Sequence, residues 1–422
     1  MQDQQIIASA GVSGHTLMAE RFSCAAWVLV GFVLPILMVP SNRSSPACLV
    51  AAAACCLASV VLAGRFAQFA DKLKALFLTP EAVVAGLFVV WCAVSIGWSP
   101  APRPSWFAFG EVLLPVLAAL VLVAGLGKPP TWFATLALVG LAITLCGLAF
   151  ELRDGLVLRK LFSGREFAFT LNRPMVVALL VSIPLLEMLR RAGRNWRAAA
   201  IFVLLTIVIA MTASHSSKLG MLAALLALVA TSFMPKLSLR LGLVVILVLL
   251  AMAPRVGNIA RAILPAHTLD TVEEGHPRER VIIWETFGEV AMLRPFRGIG
   301  FNASPNAGNS SVEQEVTPER REVLKWGHPH NVFLQIWAEL GLVGVVLTAI
   351  GIVLLFRRLA TIPPAVLPYR LAAVAAIASI GVVSHGAWQG WWFAAIGAQV
   401  VLFLASTLLF GTASNEQRAR SA

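Results

Sequence analysis

Charge is what this sequence has least of. Only 13% of its 422 residues are Asp, Glu, Lys or Arg, against roughly 25% in a soluble globular chain. Hydrophobic residues make up 59%, so a soluble fold is excluded. Cysteine is sparse and confined: Cys24, Cys48, Cys55, Cys56, Cys92 and Cys146 all fall inside apolar runs, and the long polar segment late in the chain has none. That distribution excludes an exported disulfide framework, and no paired Cys/His spacing suggests zinc. Walker loops, dinucleotide fingerprints, internal repeats and low-complexity tracts are missing too. Residues 1–21 are polar and lack the apolar core and small-residue cleavage site of a signal peptide, so the first span is expected to be retained.

What the chain does have is long apolar runs. A bilayer-crossing helix takes about 20 apolar residues, and runs between Pro, Gly and charge clusters predict twelve spans. They lie near 22–40, 46–64, 81–98, 107–126, 131–150, 174–189, 198–213, 219–234, 239–253, 331–356, 371–386 and 391–410, with the seventh, ninth and eleventh short. The formal charge of +12 points to cytoplasmic loops before nucleic acid, because Lys and Arg concentrate there in membrane proteins. With both termini inside, sixteen Lys/Arg fall on the cytoplasmic side, and the short outer loops hold eight. That orientation requires an even number of spans, which twelve satisfies. The expected organisation is nine spans over residues 1–253, a partly helical loop on the outer face over 254–330 between helices 9 and 10, three spans over 331–410 and a cytoplasmic tail over 411–422.

The 254–330 loop carries nine Lys/Arg and ten Asp/Glu and is nearly neutral, so it has no reason as a whole to grip anionic lipid. Val281, Trp284, Phe287 and Leu293 recur near helical spacing and predict an amphipathic helix from Arg278, ended by Pro295, Gly298 and Gly300. The second outer loop, 151–173, is shorter and basic. At the end of the long loop stands Gly327-His328-Pro329-His330-Asn331, directly before the apolar run Val332 to Phe356. Histidine takes a proton near neutral pH, and a helix N-terminus favours an anion; a plain helix cap is the equal alternative. Glu339 lies nine residues further on, about 13 Å along a helix axis. A carboxylate there must be paired or hydrated.

These residues resemble the O-antigen ligase and O-antigen polymerase superfamily. Its signature, a His then Asn or a similar residue, nine positions, Gly, two positions and a small residue, is matched by His330, Asn331, Gly341 and Gly344. Arg280 and Trp284, followed by Pro295, Gly298 and Gly300, are similar to the family's Arg, Trp and Pro-x-x-Gly-x-Gly run. The resemblance implies an all-α polytopic membrane protein of about twelve transmembrane helices with a glycosyltransferase-C-like fold in the bacterial inner membrane, which makes the outer loop over 254–330 periplasmic. It implies inverting, metal-independent transfer of a glycan from undecaprenyl diphosphate at the periplasmic face, with lipid A-core oligosaccharide as acceptor in the ligases. No cofactor is expected. On this resemblance His330 is the base and Arg280 a diphosphate contact.

The chemistry agrees with that assignment: single displacement needs one base on one face of the sugar and charge stabilisation for the leaving diphosphate on the other. A retaining hydrolase would want two carboxylates about 5 Å apart. The clustered outer acids Asp270, Glu273 and Glu274, beside Gly275, read better as a solvated turn. Arg278, Arg173 and Lys218 are further diphosphate candidates. Arg173 reads equally well as an interfacial anchor, and Lys218 follows His215 where many relatives carry Ser-Arg. His328 and Asn331 are candidates for orienting the base or the acceptor. In the last outer turn, His385 to Trp392, Trp388 and Gln389 could hold a pyranose by an aromatic face and an amide, whereas Trp391 and Trp392 read as belt residues. His15 and His267 read as solvated loop residues. The leading expectation is an O-antigen ligase acting on undecaprenyl-diphosphate-linked O-antigen and lipid A-core among membrane lipids, with no nucleic-acid partner. An O-antigen polymerase, a protein O-oligosaccharyltransferase and a transporter are the alternatives.

Overall fold

The computed structural model describes residues 2–163, 167–265, 277–383 and 386–420. Among these residues the regular structure is entirely helical. Ten of the described helices are long and apolar enough to cross a membrane, from Gly14–Leu37 to Gly390–Gly411. Two shorter apolar helices, Asn195–Met211 and Leu367–Val383, fall where the seventh and eleventh spans are expected. The chain is an all-α, multi-pass membrane protein. The ninth span is longer than its hydropathy suggests: Pro235–Met252 continues through a 3-10 turn at Ala253–Arg255 into Val256–Ile263. His15 is exposed on the helix Gln2–Val28 rather than in a loop, a correction that follows from one continuous helix running through the polar start. Asp270, Glu273, Glu274, His267 and His385 lie outside the described residues.

The chain forms two compact units that cut across sequence order. The first comprises residues 1–77, 113–218 and 390–422. At its centre lies the helix Asn172–Arg191, whose apolar residues are buried almost without a break. Pro184 sits inside that helix and lacks an N–H, which deprives the Leu180 carbonyl of its usual partner. The buried Gln399 Nε2 donates to that carbonyl at 2.8 Å. Two turns further along, the Ser406 hydroxyl donates to Glu187 at 2.6 Å. The basic loop 151–173 is partly swallowed: Arg159 is fully buried and donates to the Met38 carbonyl, while Leu161, Phe162, Phe167 and Phe169 stay exposed.

The second unit comprises residues 78–112 and 219–389. It holds the Pro277–Leu293 helix of the long loop, with Val281 and Phe287 buried as their spacing predicts. It also holds the Val332–Leu359 helix, which is broken at Gly341, where φ is 62° and ψ is −162°. Both belong to one apolar core with Phe301, Leu334, Ala338 and Trp388.

Candidate active site

The break at Gly341 decides how the site is built. A helix interrupted there leaves the carbonyls of the preceding turn without their usual i+4 donors, and buried carbonyls must find partners. The loop after Pro295 supplies them. Ile299 N–H donates to the Ala338 carbonyl and Gly300 N–H to the Glu339 carbonyl, both at 2.9 Å, and the Trp91 indole reaches the Leu340 carbonyl at 3.0 Å. In return Leu342 N–H donates to the Pro295 carbonyl at 2.7 Å. Such close approach tolerates no side chain. A Cβ on Gly298 would lie 2.2 Å from the Glu339 carbonyl carbon, and one on Gly341 would lie 2.5 Å from that of Phe296, with both glycines at positive φ. The Pro-x-x-Gly-x-Gly run and the first glycine of the His signature are therefore two sides of one contact.

Glu339 closes this arrangement from the side-chain direction. It is fully buried, and its carboxylate accepts from Asn302 N–H at 2.6 Å, Ser304 N–H at 3.1 Å, Gln335 Nε2 at 2.9 Å and the Trp388 indole. The carboxylate is thus paired rather than hydrated, which answers the question its position raised. Gln335 in turn accepts from Ala387 N–H at 2.8 Å. Gln335, Asn302, Ser304 and Trp91 were not singled out by sequence; Gln335 carried a signal, being one turn before Glu339 on the same face.

At the mouth of the broken helix, Asn331 is buried and caps it, its side chain accepting from Leu334 N–H at 3.1 Å. The capping alternative is correct for Asn331. His330, just before the cap, is half-buried with φ of 52°, a left-handed conformation that costs a non-glycine residue about 1–3 kcal/mol and persists only where the surroundings enforce it. Part of that enforcement is visible: the Trp284 indole donates to the Pro329 carbonyl at 3.0 Å. The His328 and His330 rings lie 4.2 Å apart, centroid to centroid.

Arg280 stands one turn before Trp284 on the same helix face, and its guanidinium donates to the Val383 carbonyl, where the Leu367–Val383 helix ends. Burial pulls the Arg280 pKa down from the ordinary guanidinium value. Arg278 is exposed. Residues 386–389 pack beside the histidines: a Cβ on Gly386 would meet the His328 ring at 2.3 Å and the Gln389 amide at 3.3 Å. Gln389 is half-buried, but Trp388 is only 7% exposed, with its ring 4.6 Å from Phe301 and 6.3 Å from Phe88. Trp388 therefore offers little open face to a sugar. The second unit thus gathers His328, His330, Asn331, Arg280, Trp388 and Gln389. Arg173 and Lys218 belong to the first unit, where the Arg173 guanidinium lies 5.4 Å from the Trp391 ring centroid and Lys218 is exposed.

Residues 200–349 match the family model described as O-Antigen ligase, and the match takes in Arg280, the 295–300 loop, His330 and the break at Gly341. Over this segment the chain is similar to the O-antigen ligase family. The chain is also similar to two rickettsial proteins, each bearing the name "Putative polysaccharide ligase". The one from Rickettsia typhi is 21% identical over 313 residues, which is 72% of this chain and 76% of the relative. The one from Rickettsia prowazekii is 22% identical over 314 residues, with the same coverage of both chains. The ligase-family segment supplies the broken helix, the loop paired with it and both histidines, while Trp388 and Gln389 lie beyond its end.

Proposed function

We propose that this protein is an O-antigen ligase: it transfers O-antigen glycan from undecaprenyl diphosphate to lipid A-core oligosaccharide, at the periplasmic face of the bacterial inner membrane, with both termini cytoplasmic. The observation that carries the proposal is His330, held in a left-handed conformation at the mouth of the broken helix with Arg280 on the helix that pins its loop. Strain of this kind is kept where a side chain must point in one direction.

In the proposed reaction His330 takes the proton from an acceptor hydroxyl as that oxygen attacks the anomeric carbon of the donor sugar. The new glycosidic bond forms while the bond from the anomeric carbon to the diphosphate oxygen breaks, inverting the configuration. The diphosphate leaves with the electron pair. Arg280, helped by Arg278, stabilises that charge; a guanidinium matches phosphate oxygens bidentately. Gln389, beside His328, is placed to meet the acceptor. Glu339 is engaged by four donors, which supports an imidazole rather than this carboxylate as the base.

The test is transfer by the purified full chain from a lipid-linked donor, with lipid A-core present or omitted and with or without a chelator. His330→Ala is expected to lower transfer by about 10² to 10⁴, the usual contribution of a general base. Arg280→Lys should lose most activity while the protein still inserts and folds. Near-normal transfer by His330→Ala, or abolition by the chelator, overturns the mechanism. Chain growth on a second lipid-linked glycan, in preference to lipid A-core, assigns the protein to the polymerases instead.

A further inference from the structure

Glu339 has no place in the proton and charge transfers of the proposed reaction, yet four donors converge on its buried carboxylate. Its two oxygens divide the labour. Oε1 accepts from Ser304 N–H and Gln335 Nε2; Oε2 accepts from Asn302 N–H and the Trp388 indole. Three stretches of chain meet on one side chain: the broken helix, the 300–304 loop and the 386–389 turn. Gln335 adds a second tether to that turn through Ala387 N–H. The turn is the segment that packs on His328 at Gly386 and carries Gln389 beside it.

We propose that Glu339 is a positioning residue that, with Gln335 as its relay, locks the 386–389 turn against the histidine pair and so sets the acceptor-side wall of the site. The acceptor part of this inference rests on the ligase reading above; the placement of the turn does not. The chemistry demands a side chain that only accepts. All four contacts are donors aimed at it, so an amide of the same shape would turn two hydrogens toward donors and break one side of the junction. Trp388 follows as a pillar rather than a stacking platform: its ring is packed among Phe301 and Phe88, and its N–H is the link that ties the turn to Glu339.

Two readouts on the purified full-length protein test this. The first needs no substrate: modification of His328 by diethyl pyrocarbonate, followed peptide by peptide by mass spectrometry. Glu339→Gln should expose the His328 ring and raise its modification rate several-fold. The milder Trp388→Phe keeps an aromatic ring but deletes the N–H, and should do the same to a smaller extent. The second readout is steady-state transfer. Glu339→Gln should raise the acceptor KM about ten-fold, the size expected for losing a hydrogen bond to a charged group, with the donor KM unchanged. In the Glu339→Gln background, Trp388→Phe should add less than it does alone, because one of the clashing donors is gone.

A part that merely held the fold together would lower kcat with the folded fraction and leave the acceptor KM alone. Unchanged His328 reactivity in both variants overturns the proposal, whatever happens to transfer. Increased His328 reactivity in a protein whose wild type transfers no glycan keeps the positioning role and overturns the ligase reading. Increased reactivity with an unchanged acceptor KM removes the turn from the acceptor side.

Discussion

Both compact units contain an apolar helix whose hydrogen-bond ladder is interrupted, and they repair the interruption in opposite ways. In the first unit Pro184 frees a single carbonyl, that of Leu180, and one buried side chain, Gln399, satisfies it. In the second, Gly341 breaks the backbone itself, and a whole loop is recruited: Ile299 and Gly300 donate to the freed carbonyls, Trp91 takes a third, and the loop receives a hydrogen bond back from Leu342. An apolar medium forces some repair in either case, since an unpaired peptide group there costs several kcal/mol. The difference teaches where function sits. A side-chain patch restores a scaffold and adds nothing else. A backbone patch brings a polar loop into register with a buried helix, and in this protein the same junction carries Glu339 within it and His330 at the mouth of the same helix.

The most severe way to break that comparison is to put a side chain on the backbone junction. Gly341→Ala forces a Cβ to within 2.5 Å of the Phe296 carbonyl carbon at a φ of 62°. Clash with backbone cannot be relieved by a rotamer change, and the positive φ adds its own strain. The expected loss is about 3 kcal/mol or more of stability. It should read as a collapse of the folded yield in detergent and complete loss of transfer. Full activity in this variant would mean that the loop and the broken helix are not joined as described.

The second unit also shows how much of the site could be read in advance. The helix from Arg278 was legible because Val281 and Phe287 alternate with polar residues at helical spacing, and the spans because apolar runs of this length have few other uses. Asn331 as a cap and Glu339 as a buried carboxylate were legible as questions. Their answers were not: the donors to Glu339 include two backbone N–H groups, at Asn302 and Ser304, and a backbone donor leaves no mark in the sequence. The break at Gly341 was invisible for the same reason. Glycine is common in membrane helices, and only the partner loop, some forty positions upstream in sequence, gives this one meaning. Trp388 was misleading because its usual role at an interface and its sugar-binding chemistry both assume an open face, and this ring is packed shut.

A smaller effect is expected from the side-chain repair. Gln399→Ala leaves the Leu180 carbonyl buried without its donor, at a cost of about 1–3 kcal/mol, seen as a lowered midpoint in thermal unfolding. The comparison is sharpened by Pro184→Ala, which restores an N–H in the position that can serve that carbonyl. In the Pro184→Ala background the loss of Gln399 should cost markedly less than it does alone. Strict additivity of the two substitutions would show that Gln399 holds the helix for some reason other than the proline.

The smallest effect lies on the solvent-facing side of the long loop. Glu289, on the Pro277–Leu293 helix, accepts from the Thr317 N–H at 2.8 Å, from the Thr317 hydroxyl at 2.7 Å and from Arg320 at 2.7 Å. Partial burial alone would raise its carboxyl pKa, but the Thr317 bonds and Arg320 outweigh it and hold the value below the ordinary one. A carboxylate with a folded-state pKa below its unfolded one stabilises the fold at pH above the unfolded value, and that contribution fades as the pH falls through the folded value. At near-neutral pH the clasp is fully present. Because the pair is partly exposed to solvent, its contribution is about 1 kcal/mol or less. Glu289→Gln should therefore lower the unfolding midpoint slightly at pH 7 and converge with the wild type on acidification below the ordinary carboxylate range. Added salt should shrink the difference at neutral pH, and the Gln399→Ala difference should not respond to salt at all. Equal salt sensitivity in the two variants would erase the distinction drawn here between repairs made inside the apolar core and contacts made in water.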